Sequence, residues 1–180
     1  EASTVSGGMR HLAFGNFTTI GGGENNIALG SHSSIGGGWQ NDANGRNGRI
    51  GGGFRNTVTG VGATIAGGAD HRVESLYGVV SGGVRNEIRA DSAYSVISGG
   101  LDNTVAGADS FVGGGRGILI TDEAAAAVVA GGQYHTVHSP YSNIGGGFRN
   151  WVDGMYGGIA GGVLNTGTGK GFFVGGGALH

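Results

Sequence analysis

The sequence predicts an all-β fold: a parallel β-solenoid, or β-roll, of about twelve short coils with two short strands in each. Three observations predict it. Glycine supplies 45 of the 180 residues, with one proline and no cysteine, so side chains alone cannot fill an ordinary core. A fifteen-residue unit recurs from end to end, as in TIGGG at 19, SIGGG at 34 and RIGGG at 49. One column of that unit is β-branched throughout.

The units begin at Thr4, Thr19, Ser34, Arg49, Thr64, Val79, Val96, Phe111, Val128, Asn143, Gly158 and Phe173. All but two of the spacings are fifteen residues; the units at 79–95 and 111–127 have seventeen. No linker or second composition is left over, so residues 1–180 read as one glycine-rich repeat domain. The consensus is x-[IV]-[GAS]-G-G-x-x-[NH]-x-[AV]-x-G-x-x-x.

Position 2 opens the core ladder: Val5, Ile20, Ile35, Ile50, Ile65, Val80, Ile97, Val112, Val129, Ile144, Ile159 and Val174. Branched side chains suit a stacked strand, so these residues are expected to face inward. Position 3 is always Gly, Ala or Ser, and positions 4 and 5 are always Gly-Gly, which implies close backbone approach or positive φ. Position 8 is Asn or His in every unit except at Ile118. Both types tolerate the left-handed region, so a turn is expected there. Position 10, mostly Ala, Val or Ile, starts the second buried strand, and the frequent Gly at 12 marks a second turn. The two long units are expected to bulge at Ala90–Ser95 and Asp122–Ala127 without disturbing the register elsewhere.

Other architectures fit less well. Gly-Gly in a helix interior costs about 1 kcal/mol per glycine, and helical repeats need longer units. The glycine runs never exceed three residues, and a polyglycine-II lattice has no place for an Ile/Val ladder. Collagen, disulfide scaffolds and membrane-spanning helices are excluded by composition. Ten Lys and Arg against twelve Asp and Glu leave a net charge of -2 with no basic cluster, so neither nucleic acid nor direct membrane insertion is expected.

The units TIGGGENNIALGSHS at 19–33 and SIGGGWQNDANGRNG at 34–48 resemble the head repeats of trimeric autotransporter adhesins. IALGSHS, with Ser31 and Ser33 near the family's serine positions, carries the closest likeness. The resemblance runs through all twelve units. It implies a left-handed parallel β-roll, a homotrimer, bacterial surface display and adhesion. Phage tail-fibre segments use similar glycine-punctuated repeats. The alternating A-x-A-x-G pattern of the adhesins is here mostly replaced by I-G-G-G, and no neck, stalk or anchor pattern is visible.

Candidate chemistry is sparse. His11, His71, His135 and His180 share the Asn column in nonadjacent units, so no metal site is expected; His135 and His138 would point to opposite faces of a strand. Asp122 and Glu123 form the only adjacent carboxylate pair, with Asp91 and Asp109 near the long units, and no recurring catalytic set accompanies them. There is no G-x-S-x-G, no phosphate-binding loop, no calcium-roll motif and no flat Thr array. No cofactor is expected.

The expected function is therefore a non-enzymatic structural or adhesive segment of an extracellular bacterial fibre, with a phage tail-fibre or tailspike segment and a self-stacking filament subunit as alternatives. With core side chains expected only at positions 2 and 10, the interior is thin. Large apolar residues remain for the outside: Leu12, Phe14, Phe17, Trp39, Phe54, Phe111, Phe148, Trp151, Phe172 and Phe173. That combination predicts self-association, as a homotrimer or a head-to-tail filament. Trp39 and the repeated GGGFRN, with Phe54, Arg55, Phe148 and Arg149, are the candidates for facing a host matrix protein or glycan.

Overall fold

The computed structural model describes residues 2–180. Among these the chain is all-β, with no helix. Positions 1 and 2 of successive units, from Thr4–Val5 to Phe173–Val174, stack into a 12-stranded sheet. Positions 9 and 10, from Leu12–Ala13 to Thr166–Thr168, stack into an 11-stranded sheet. Every pairing is parallel and joins equivalent positions, as in Ile20 to Ile35 to Ile50. At the β spacing of about 4.8 Å, the stack is roughly 55 Å long.

A third face emerges that the repeat pattern did not signal. Position 6 residues pair coil to coil as single parallel bridges, from Met9–Glu24 through Trp39–Phe54 to Val163–Ala178. Each coil is therefore three-sided. One residue suffices on this side because the glycines before it and the corner after it leave no room for a longer strand.

The corners correct the sequence reading. Positive φ is not found at position 8. It falls at the glycine of position 5, at position 7 (Arg55, φ 51; Asp70, φ 58) and at the penultimate residue of the coil (Tyr77, φ 53; Tyr141, φ 56). At the last two corners the left-handed residue turns its N–H toward the preceding coil. Arg55 N–H donates to Trp39 O at 2.9 Å and Tyr77 N–H to Val61 O at 2.9 Å, whereas strand amides donate to the following coil, as Gly21 N–H does to Ile35 O at 2.9 Å. Coils are thereby bonded in both directions, which helps offset the roughly 1–2 kcal/mol cost of the left-handed conformation at a non-glycine residue.

The core ladder points inward as expected: Ile20, Ile35, Ile50, Ile65, Val80, Ile97, Val112, Val129, Ile144 and Ile159 are buried, and so are Ala28, Val58, Val105 and Val152 of position 10. The interior is fuller than two columns. Position 8 is buried too, where Asn26, Asn41, Asn56, Asn86, Asn103, Asn150 and Asn165 form a polar spine with His71 and His135, interrupted at Ile118. Ser95, Ser110 and Ser142 add a shorter polar ladder at the coil's last position: Ser95 Oγ donates to Gly107 O at 3.0 Å and accepts Ser110 N–H at 3.0 Å. Phe172, expected outside, packs against the core.

The extra residues of the long coils stay local. Ala90–Asp91 and Asp122–Glu123 are exposed turns, after which buried Ser92 and Ala124 resume the inward column. Register continues across them, Val79 facing Val96 and Phe111 facing Val128.

Candidate interaction surface

The surface is organised by column, so each side chain sits about one coil spacing from its counterpart. Along position 6, Trp39 and Phe54 stack with ring centroids 4.7 Å apart. The Arg55 guanidinium lies 4.7 Å over the Phe54 ring and pairs with Asp70 at 2.7 Å. In the second GGGFRN, Arg149 lies 5.1 Å over Phe148 and 5.9 Å from Tyr134, and Tyr134 meets Phe148 edge-on at 5.8 Å. The fold brings Trp39, Phe54 and Arg55 together. It keeps Phe54 and Arg55 six coils from Phe148 and Arg149, roughly 29 Å at the coil spacing. These are two separate clusters, and each arginine is already engaged by its own neighbours.

Between Arg55 and Glu87 the same side carries a run of charged residues. Arg55, Asp70, Arg72, Arg85, Asn86 and Glu87 line a shallow open groove. Arg85 binds Asp102 through two hydrogen bonds of 2.5 and 2.9 Å, which hold the Asp102 carboxyl below the usual carboxylate range. Arg72 pairs with Glu74 in its own coil. The groove's charges are largely cancelled in place. Asp42 lacks such a partner; burial raises its pKa, with Asn44 beside it acting in the opposite direction.

The face made by positions 1, 3 and 4 is different in kind. Thr19, Gly21, Ser34, Gly36, Thr64 and Ala66 form a shallow, largely apolar trough in which Arg49 is the sole charge. Its glycines divide by cause. At position 5 the conformation demands glycine: Gly53 has φ 105, and a Cβ there would overlap the carbonyl oxygen of Gly68. At position 3 the backbone is also close, yet Ala66, Ser81, Ser98, Ala130 and Ala160 are accommodated. At position 4 the chain itself makes no such demand. A Cβ on Gly22, Gly67, Gly82, Gly131 or Gly146 would meet nothing within 4 Å, and on Gly37 or Gly52 nothing nearer than 3.8 Å. Only Gly114 and Gly176 of this column have positive φ. An invariant glycine without a steric cause inside the chain is the feature that reading the sequence missed, because Gly-Gly pairs look alike until the Cβ directions are known.

The carboxylates do not assemble a site. Asp122 and Glu123 lie on the exposed turn of their long coil, and Asp91 and Asp109 are also exposed. Among the described residues no group of three or more His, Cys, Asp or Glu side chains is placed to hold a metal ion. Among the described residues no helix is long and apolar enough to cross a membrane. No family model matches the chain, and comparison with curated proteins gives no match.

Proposed function

We propose that this chain is a non-enzymatic structural rod, a segment of a bacterial or phage surface fibre, that works by packing side by side with copies of itself. The observation that carries the reading is the invariant glycine of position 4. A residue kept small in every coil, with open space inside the chain's own structure, is kept small for a surface that approaches from outside. That surface must present the same spacing of about 4.8 Å over the same length, and a second copy of the solenoid does so. The trough covers four coils, and the face that continues it along the whole stack, roughly 55 Å long and taken as about 10 Å wide, would bury on the order of 600 Å² per partner. That is somewhat less than a standard interface, and a third copy that engages a second face of each chain would exceed it. A trimer is thus favoured over a dimer, in keeping with the likeness to adhesin head repeats.

Sedimentation tests this directly. The wild-type chain is expected to associate at micromolar concentration. The triple variant Gly37→Gln, Gly52→Gln, Gly67→Gln is expected to keep its β circular dichroism and sediment as a monomer. A wild-type monomer at that concentration would sink the proposal. Whether the rod also adheres rests on the Trp39–Phe54–Arg55 cluster, where two stacked aromatics and a cation converge. Binding to a glycan or matrix-protein array that is lost in Trp39→Ala separates an adhesive rod from a spacer.

A further inference from the structure

The asparagine spine holds two fully buried rungs of another kind, beside a half-buried one at His11, whose Nδ1 accepts the N–H of Asn26 at 3.3 Å. Asn41 shows the ordinary rung: its Oδ1 accepts the N–H of Asn56 at 3.1 Å, and its Nδ2 donates to Gly37 O at 3.0 Å and Gly53 O at 2.9 Å. His71 takes the same place one coil after Asn56. Its backbone N–H donates to Asn56 Oδ1 at 3.0 Å, and its Nδ1 accepts the N–H of Asn86 at 3.1 Å. His135 repeats the arrangement, with Nδ1 accepting the N–H of Asn150 at 3.1 Å. Both rings are buried; neither Nε2 makes a hydrogen bond of good geometry, although the backbone of Gly83 and of Gly147 lies close by.

An imidazole nitrogen that accepts a hydrogen bond is unprotonated, so both rings are neutral with the proton on Nε2. Adding a proton would place Nδ1–H against the amide N–H of the next coil. The rung would then be lost, and a charge would be left in a dry interior.

The surroundings do little to stabilise that charge. Asp70, beside His71, is drawn to Arg55 at 2.7 Å. Of the other charged groups of this corner, Arg72 pairs with Glu74 and Arg85 with Asp102, and Glu87 lies in the following coil, 3.8 Å from Arg89. Beside His135 the charged groups of the adjoining coils at this corner are Arg116 and Arg149, both positive.

We propose that His71 and His135 are acid-sensitive rungs, whose protonation breaks the spine at two points and loosens the rod between the coils they join. Burial holds both rings below their ordinary value of 6.5, against smaller opposing contributions from nearby backbone and, at His71, from Asp70. The sign follows. The unfolded chain takes up these protons as pH falls through about 6.5, and the folded chain resists until lower pH, so stability present above 6.5 is lost progressively below it.

The repeat supplies its own control, since asparagine fills this column in seven coils. Thermal unfolding of the wild type and of His71→Asn/His135→Asn is compared at pH 7.5 and pH 5.0. His32→Asn/His138→Asn serves as a control for histidines outside the spine. The wild type and this control are expected to lose more of their midpoint on acidification than the buried-histidine variant does. Amide exchange at Asn86 and Asn150 is expected to quicken selectively at pH 5.0 in the wild type. Parallel losses in all three proteins would overturn the proposal. If the double variant fails to fold, histidine ring titration in the wild type decides: two rings that protonate well below the rest support it, and six that titrate together refute it.

Discussion

At the scale of single residues, adjacent glycines in one motif have opposite requirements. Gly53→Ala forces an L-residue to φ 105 against the Gly68 carbonyl and is expected to destabilise the chain by roughly 2 kcal/mol or more. Gly52→Ala places its methyl in open space and is expected to change the monomer's stability little, within about 1 kcal/mol. Urea unfolding of the two variants under conditions that keep the chain monomeric reads the difference. Asp42 gives a second residue-scale test. Its carboxyl is raised by burial, so the folded chain binds its proton more readily than the unfolded one. Ionisation therefore weakens the fold as pH rises through and above the carboxylate range. Asp42→Thr, which installs the residue found at position 9 in Thr57, Thr104, Thr136 and Thr166, is expected to raise the thermal midpoint at pH 7, with the gain shrinking as pH falls toward 3.8.

At the scale of elements, a two-residue strand has little stability of its own, and the ladders supply what it lacks. Asn56 illustrates how much one rung carries. It accepts the N–H of His71, donates through Nδ2 to Gly52 O and Gly68 O, and gives its own N–H to Asn41 Oδ1. Asn56→Ala leaves the buried His71 N–H without its acceptor and takes a donor from the carbonyls of Gly52 and Gly68, and is expected to cost about 2 kcal/mol, measurable by chemical unfolding. Ile118 marks a natural break, since its side chain offers no acceptor to the amide of His135. Ile118→Asn is expected to continue the spine and slow amide exchange at His135. The column's alternation of Asn and His was visible in the sequence, but its cause was not. These types serve there for side-chain hydrogen bonding along the stack, whereas the left-handed corners fall on positions filled by residues as different as Arg, Asp, Tyr, Leu, Ala and Asn. A corner imposed by coil closure selects φ without selecting a residue type, so composition carried no sign of it.

At the scale of the whole molecule, repetition makes each coil's neighbour its template, and stability grows with each coil-to-coil interface. The fifteen-residue period, the inward Ile/Val ladder, the parallel stacking and the placement of two extra residues in each long coil were all legible in the sequence. Each is a one-dimensional regularity that the axial hydrogen-bond register maps onto space. The third side, the buried polar spine and the separation of the two GGGFRN clusters depended on which way each side chain leaves the coil. The same holds for the position 4 glycines, whose emptiness is defined by atoms of neighbouring coils. The repeat pattern alone therefore dictates that this chain stacks and which residues line its apolar core. Which groups face one another between coils follows from φ at three corners, and at two of those corners closure of the coil fixes φ whatever residue is present.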